Sequence, residues 1–187
     1  MNQATNTTND KSHLPRGAGQ PLASTGLCLL FTLSLVAVAQ TKDTVNCQVR
    51  SAFRSDGSIS TQIRQALQQA RSEVLVALYG FNNPILAHEL VSLAKKGLQV
   101  RVKIDAEKTG RRKTRALIGL LRAAGVAVKG VAADGRNQNK FVIIDGKRVI
   151  TGSYNWTTRA EENWENVLFL DCPELAKRYA TEWEKIE

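Results

Sequence analysis

The run Val74-Leu75-Val76-Ala77-Leu78-Tyr79 is the stretch that decides the fold class of this 187-residue chain. Its length and unbroken apolar character are typical of a β-strand that is covered on both faces. Residues 59–70 before it have helical apolar spacing, with Ser60 expected as N-cap. Residues 84–96 after it begin at Asn83-Pro84, a typical N-cap and first-turn proline. This order predicts an α/β protein.

The rest of the chain continues the alternation of strands and helices. Asp145-Gly146 is a strong hairpin turn because both residue types accept the backbone angles of a tight two-residue turn. Crossovers through helices imply parallel strands, whereas a hairpin is antiparallel. We therefore expect a mixed β-sheet sandwiched between α-helices. The further predicted strands are 98–105, 126–128, 141–144, 149–151 and 167–170, and further helices are expected near 116–124 and at 173–186.

The first 39 residues are predicted to concern localisation rather than the fold. Residues 22–39 contain no charged side chain and end in Ala37-Val38-Ala39, the small-residue pattern that a signal peptidase reads. Cleavage is expected before Gln40, which leaves residues 40–187 as one domain of ordinary size. The alternative is an uncleaved membrane anchor, because 18 uncharged residues approach the ~20 needed to span a bilayer. Either reading predicts export, to a periplasm or the outside, or attachment to a membrane.

Composition and charge exclude several classes of protein. The content of 43% hydrophobic and 23% charged residues supports a packed core and argues against global disorder or a collagen-like chain. The formal net charge is +9, and most of the basic residues lie after residue 39. An anionic partner is therefore favoured, and charge alone does not choose between nucleic acid and phospholipid.

The cysteines leave one alternative open. Cys47 and Cys172 lie near the two ends of the segment after residue 39, and in an exported protein they could form a disulfide. Two free thiols are the alternative, because sequence does not establish their distance. No Cys-x-x-Cys pair and no Cys/His cluster occurs, so no metal ion or other cofactor is expected.

The segments Gln-Asn-Lys-Phe-Val-Ile-Ile-Asp-Gly at 138–146 and Thr-Gly-Ser-Tyr-Asn-Trp-Thr at 151–157 carry a specific motif. They resemble the single-motif branch of the phospholipase D superfamily, the bacterial Nuc-type endonucleases. The signature of that branch is His-x-Lys, four residues, Asp, and then Gly-Ser-x-Asn. Matching positions here are Lys140, Asp145, Gly152, Ser153 and Asn155.

One position departs from the signature, because Gln138 stands where the family has its nucleophilic histidine. The resemblance implies a phospholipase D/nuclease fold, a homodimer, and metal-independent hydrolysis in which an imidazole attacks phosphorus. It also implies that Glu165 orients the group at position 138, and with glutamine there we expect Glu165 to pair with the amide instead. A carboxamide is neither basic nor usefully nucleophilic at neutral pH. We therefore expect an inactive or severely impaired copy.

The remaining motif residues are predicted to form a phosphate site. Gln138 and Lys140 are two apart on an expected strand and should point to one side, with Lys140 as the phosphate-binding cation. Asp145 has the opposite parity and lies at the turn, which favours a structural role. Ser153 and Asn155 can offer a hydroxyl and an amide to the same anion. Taken singly, each residue has an ordinary surface or turn explanation, so the prediction depends on their joint spacing.

Residues outside the motif are also candidates. The segment 108–115 holds five cations that could follow a phosphate backbone or simply solvate the start of a helix, namely Lys108, Arg111, Arg112, Lys113 and Arg115. Tyr154, Trp156 and Trp164 could stack on bases or pack in the core. His88 lies within a predicted helix, so we do not expect it to replace the missing histidine.

Three hypotheses follow from the sequence. The first is an exported phosphodiesterase acting on DNA, RNA or anionic phospholipid. The second is a catalytically silent protein of the same fold that binds these anions. The third is a structural basic domain, which predicts no affinity for phosphate analogues. Nucleic acid is preferred to phospholipid because 187 residues leave little room for a lipid-binding insertion.

Overall fold

A computed structural model describes residues 46–132 and 135–187. Seven strands form one sheet: β1 Gln48–Phe53, β2 Glu73–Leu78, β3 Gln99–Asp105, β4 Ala127–Val131, β5 Lys140–Ile144, β6 Arg148–Gly152 and β7 Asn166–Asp171. Five α-helices accompany them: α1 Ile59–Leu67, α2 Pro84–Lys95, α3 Ala106–Thr109, α4 Arg112–Ala123 and α5 Pro173–Lys185. Short 3-10 helices occupy Arg54–Asp56 and Arg159–Glu162.

The strand order is β1-β7-β6-β5-β2-β3-β4. Strands β2, β3 and β4 are parallel to one another, whereas β2–β5, β5–β6, β6–β7 and β1–β7 are antiparallel. Parallel pairing follows the crossovers through α2 and α4, and antiparallel pairing follows the hairpin. The predicted fold class, a mixed sheet between helices, is confirmed.

Two hydrophobic clusters cover the two faces of the sheet. On one face α1, α2 and α4 bury residues such as Leu67, Leu90 and Leu121 against the strands. On the other face α5 packs Ala176 and Trp183 against β2, β5 and β6. Strand β2 is buried almost throughout because it contributes side chains to both clusters, as its apolar run predicts.

A buried lysine holds the end of α5 against the sheet. Lys103 on β3 is only 7% exposed, and its Nζ donates to the backbone oxygens of Trp183 at 2.7 Å and Ile186 at 2.8 Å. Carbonyls at the C-terminal end of a helix lack partners within the helix, so this ammonium group satisfies them. Burial lowers the pKa of Lys103.

Two local predictions need correction. Helix α1 is capped by Ser58, whose Oγ accepts from the Thr61 backbone N–H at 3.2 Å. Ser60 is the second residue of the helix. Ser58 has the extended backbone of an N-cap, whereas Ser60 is already helical. Strand β1 was not predicted, because only Ala52 among its six residues is buried.

The two cysteines of the described chain are joined. Cys47 and Cys172 form a disulfide with a Cα–Cα separation of 4.9 Å, which settles the alternative left open by the sequence. The bond ties the start of β1 to the end of β7.

The N-terminal predictions lie outside the described residues. This applies to the signal or anchor assigned to 1–39, to its apolar part at 22–39 and to cleavage before Gln40. Among the helices that the structure describes, none combines the length and apolar composition needed to cross a bilayer.

Candidate functional site

Most of the predicted site residues meet at one edge of the sheet. At this edge β2 ends at Leu78, β3 ends at Asp105, and the antiparallel β5 begins at Lys140. Strand β6 also ends here, just before Ser153. Loops that follow such strand ends are the usual ligand sites of open α/β sheets.

Gln138 and Lys140 are neighbours, although not in the predicted way. Lys140 is the first residue of β5, whereas Gln138 lies exposed in the preceding loop rather than on the strand. The Lys140 Nζ donates to the backbone oxygen of Gln138 at 2.8 Å. The lysine head group is therefore held beside the backbone of the position where the family carries its histidine.

Asn137 explains why Gln138 leaves the strand. Asn137 is 8% exposed, its backbone N–H donates to Asp105 Oδ2 at 3.0 Å, and its Nδ2 donates to the Leu78 oxygen at 3.3 Å. These contacts pin the loop to the ends of β2 and β3. Gln138 then has to project from an exposed loop position.

Tyr79 is the centre of a basic cluster at this edge. Lys108 Nζ lies 4.3 Å and Lys140 Nζ 5.8 Å from the centroid of the Tyr79 ring. Arg136 Nη1 lies 3.4 Å from the Tyr79 hydroxyl oxygen. Interaction with Lys108, and then with Arg136, lowers the pKa of Tyr79, since nearby cations favour the phenolate. An anion bound here would meet the ammonium groups of Lys108 and Lys140, whereas Arg136 is already paired with Glu107 at 3.1 Å.

An open pocket of about 300 Å³ adjoins this cluster and includes Asn155. Lys108 and Arg111 contribute its cations, and Thr157 adds a hydroxyl group. Asn155 Oδ1 accepts from the Gly80 backbone N–H at 3.2 Å. A Cβ at Gly80 would lie 3.2 Å from that oxygen, so glycine permits the close approach that orients the amide.

Ser153 and Glu165 form a separate pair beside the pocket. The Ser153 hydroxyl donates to Glu165 Oε2 and accepts from the Asn166 backbone N–H at 3.0 Å. Glu165 Oε1 accepts from Asn163 at 3.2 Å. Within the described part of the chain no hydrogen bond joins Glu165 to Gln138, so the expected pairing with the glutamine amide is wrong. The exposed loop position of Gln138 accounts for this difference.

Asp145 is placed far from the pocket, at the other end of β5. Five residues along a strand correspond to about 17 Å from Lys140. Its carboxylate accepts hydrogen bonds from the backbone N–H groups of Arg71, Ser72 and Glu73 and from the Ser72 hydroxyl. Burial raises the pKa of Asp145, but these hydrogen bonds outweigh it and lower the pKa below its ordinary value. The residue therefore holds the α1–β2 loop and does not face an anion at Lys140.

The other candidates divide into three groups. Lys108 and Arg111 reach the pocket, whereas three exposed cations of α4 do not line it, namely Arg112, Lys113 and Arg115. Tyr154 and Trp156 are core residues with 1% and 2% exposure, which settles that alternative for both. Trp164 remains 84% exposed. His88 is exposed on α2.

Sequence reasoning missed Tyr79, Arg136, Asn137 and Asp105. The usable signal was position, because Tyr79 directly follows β2 and Asp105 is the last residue of β3, and these parallel strands end at one edge. Arg136 and Asn137 lie just before the motif. Their convergence depends on the loop geometry and has no local sequence signature.

Together, these residues define an α/β protein with a basic pocket, lined in part by an amide side chain, at one edge of its sheet. Among the described residues, no group of three or more His, Cys, Asp or Glu side chains is arranged to hold a metal ion.

Comparison with known proteins identifies the family. Residues 63–186, about two thirds of the chain, match the family model described as cardiolipin synthase, PLD-like domain. The chain therefore belongs to the PLD-like family, and the resemblance to the phospholipase D superfamily is confirmed.

Relatives include enzymes named for phospholipids. The chain is 38% identical over 133 residues to a mitochondrial cardiolipin hydrolase of Mus musculus, covering 71% of this chain and 59% of that protein. It is 28% identical over 137 residues to a phospholipase D of Rickettsia conorii, covering 73% and 68%. The chain thus spans between half and two thirds of the length of the cardiolipin hydrolases that it matches.

Solved structures show the same fold. Nuc from Salmonella typhimurium, a phospholipase D family member, superimposes with a TM-score of 0.72 at 24% identity over 75% of this chain and 94% of Nuc. NucT from Helicobacter pylori gives a TM-score of 0.62 at 23% identity over 74% and 96%.

Proposed function

We propose that this protein binds nucleic-acid phosphodiesters at the Lys140 edge of the sheet and that its hydrolytic activity is absent or severely impaired. One observation supports this proposal above the others. Lys108 and Lys140 flank Tyr79 at the edge where phosphate would bind, while an exposed glutamine occupies the nucleophile position. Positive charge for binding is present, and the reactive ring is absent.

The loss of activity is attributed to the side chain at position 138. An imidazole has a pKa near ~6.5, so one nitrogen can attack phosphorus while the ring also transfers a proton. The Gln138 amide can donate a hydrogen bond to a phosphate oxygen but cannot form the covalent intermediate. In a homodimer both copies would carry the same glutamine, so the second chain would not restore the reaction.

Restoring the histidine tests this proposal. Gln138→His should cleave single-stranded DNA or RNA in the presence of a chelator at least about a thousandfold faster than the natural chain. Asn139→His is the matched control, because it adds an imidazole at the neighbouring exposed position and should stay inactive. Comparable cleavage by the natural chain and Gln138→His would contradict the silent reading and support an active phosphodiesterase.

Nucleic acid is preferred to phospholipid because the cations extend beyond a single phosphate site. Lys108 and Arg111 line the pocket, and exposed Arg112, Lys113 and Arg115 continue along α4. A chain of phosphates would contact several of them and release counterions. The logarithm of the association constant should therefore fall steeply with the logarithm of salt concentration. A shallow slope would favour a ligand with one phosphate.

Cardiolipin is the second candidate, supported by the names of the relatives at 35–38% identity. Anionic vesicles with cardiolipin should then bind, and be hydrolysed by Gln138→His, better than single-stranded oligonucleotides. Tungstate or vanadate should compete for either ligand at the phosphate site. Failure of both anions to compete would instead support a structural basic domain.

We further propose a homodimer, as the family resemblance implies. Val49, Phe53 and Leu168 are 37–59% exposed, and the strand register puts them on one face of β1 and β7. A second copy covering them would bury apolar area. Light scattering should show that Phe53→Ser and Leu168→Ser weaken the dimer, whereas Ile85→Ser on α2, exposed to a similar degree, does not. A monomer at all concentrations would contradict this proposal.

Export is proposed together with this function. The Cys47–Cys172 disulfide supports it, because such bonds persist in oxidising compartments. Mass spectrometry of the protein from fractionated cells should find an N-terminus at Gln40 outside the cytoplasm. An intact N-terminus in the membrane fraction would instead support an anchor.

A further inference from the structure

Trp164 is unusually exposed to solvent for a tryptophan. It is 84% exposed, whereas Trp156 and Trp183 are 2% and 4% exposed. The Arg54 guanidinium lies 5.7 Å from the centroid of the Trp164 ring. A large aromatic surface next to a cation is therefore presented to solvent.

The backbone places Trp164 next to a residue that contacts the predicted motif. Trp164 directly precedes Glu165, whose carboxylate accepts from Ser153 of the motif. The Arg54 backbone N–H donates to the Glu165 backbone oxygen at 3.2 Å. This hydrogen bond holds the Arg54 backbone next to the loop that carries Trp164.

The strand register gives the scale of the separation. Lys140 begins β5, and Val167, three residues after Trp164, lies two strands away on β7. Two strand spacings correspond to about 10 Å. The three residues from Val167 back to Trp164 add at most about 10 Å. A nucleic-acid strand with a rise of at least ~3.4 Å per nucleotide covers the combined distance of about 20 Å within about six nucleotides.

We propose that Trp164, flanked by Arg54, is a stacking platform for an unpaired base of the strand whose phosphate binds near Lys140. The inference rests on the proposed function and adds a determinant of single-strand specificity to it. The indole face can stack on any base, and the guanidinium can pair with an adjacent phosphate. A base within a duplex is already stacked on both sides and would not bind in this way.

A base fits these observations better than a bilayer does. A single base covers the face of a single indole. Stable attachment to a bilayer surface needs a larger apolar area or a second anchoring signal. The membrane is therefore the competing outcome of the test.

Intrinsic fluorescence gives the first measurement. All three tryptophans of the sequence are accounted for, and only Trp164 is accessible to a soluble quencher such as acrylamide. A twelve-residue thymidine strand should protect Trp164 from acrylamide, and Trp164→Phe should abolish this protection. Protection of Trp164 from acrylamide by cardiolipin vesicles but not by the strand would overturn the proposal. Protection that appears when only the protein concentration is raised would also overturn it.

Affinity gives the second measurement. Trp164→Ala should weaken binding of the thymidine strand about tenfold, while binding of an abasic strand of equal length should stay unchanged. Trp164→Phe should recover most of the affinity, and Ile85→Ala, another exposed apolar position, should have no effect. If Trp164→Ala weakens binding of the thymidine and abasic strands equally, or weakens neither, the proposed stacking platform is wrong.

The two levels of the proposal fail differently. If Lys140→Ala leaves the binding of both strands unchanged, the proposed function at the motif site is wrong. If Lys140→Ala weakens both strands but Trp164→Ala weakens neither, only the stacking platform is wrong.

Discussion

The two ends of strand β5 carry parts of the same motif and have opposite characters. The anchored end contains Asp145, whose carboxylate accepts hydrogen bonds from four donor groups in the loop before β2 and at its first residue. The open end contains Gln138 and Lys140, where cations meet at Tyr79. The motif spacing therefore combines one residue that holds the fold with others that face a ligand.

The anchored end is reinforced by covalent and turn geometry. Asp145 and Gly146 have φ values of +55° and +61°, as a tight hairpin of this kind requires. The Cys172 backbone N–H donates to the Lys147 oxygen at 2.8 Å, which joins the disulfide to the same turn. Substitutions at this end should reduce stability, and substitutions at the open end should reduce binding.

The largest expected effect on stability is loss of the disulfide. The bond joins residues 125 positions apart, and restricting so long a loop in the unfolded chain is worth about 4–5 kcal/mol. Urea denaturation with and without reductant should show this difference. A Cys47→Ala/Cys172→Ala double variant should not respond to reductant. A loss below about 1 kcal/mol would contradict the prediction.

Asp145→Ala should follow at about 3 kcal/mol. The substitution removes the acceptor of several backbone donors and places alanine at a positive φ. Asp145→Asn is the matched control, because it keeps one acceptor oxygen and tolerates this backbone, so it should lose less. The folded Asp145→Ala protein should bind a thymidine strand with unchanged affinity. Impaired binding by the folded variant would remove the distinction between the two ends.

Gly152→Ala should destabilise by about 2 kcal/mol, although Gly152 lies near the open end. A Cβ there would lie 2.2 Å from the Asn166 backbone oxygen, so β6 and β7 would have to separate. Gly119→Ala in α4 is the control, because a Cβ there meets nothing within 4 Å and alanine favours the helix by about 0.5–1 kcal/mol. Equal thermal stability of the two variants would contradict the close-approach argument.

The architecture was predictable where apolar patterns are strong. The buried run of β2 and the Asp145-Gly146 turn each indicate their structure locally, and both appear as expected. Strand β1 was missed because its burial is confined to Ala52. It pairs through backbone hydrogen bonds at a sheet edge, and such pairing leaves little trace in the side-chain sequence.

The site was predictable only as a set of motif positions. Lys140 and Asn155 were identified by spacing, but Tyr79 after β2, Lys108 on α3 and Arg136 in the loop before β5 meet around them only in the folded chain. The alternation of side chains along a strand predicted that Gln138 and Lys140 lie on one strand. This prediction is wrong because Asn137 holds the preceding loop against Asp105. Convergence of loops depends on tertiary contacts that no local pattern contains.

Acidic pH should lower the free energy of unfolding through Asp145, by less than the substitutions above. Hydrogen bonding holds the pKa of Asp145 below its ordinary value in the folded chain, so the ionised carboxylate favours folding. That contribution is complete above the unfolded-state pKa, near pH ~4, and is lost as pH falls through the lowered folded-state pKa. Denaturation as a function of pH should show a smaller acid loss for Asp145→Asn than for the natural chain. Identical curves would contradict this role.

Lys140→Ala should have the smallest effect on stability and a large effect on binding. Its ammonium group is partly exposed and donates to one loop oxygen, so the free energy of unfolding should change by less than about 0.5 kcal/mol. Loss of a charged contact to phosphate should nevertheless weaken binding of a thymidine strand about 10- to 100-fold and reduce the salt slope by about 1. Lys177→Ala, an exposed cation on α5, is the control and should change neither quantity. If Lys140→Ala unfolds the protein but Lys177→Ala does not, Lys140 serves the fold as Asp145 does, and the two ends of β5 no longer differ.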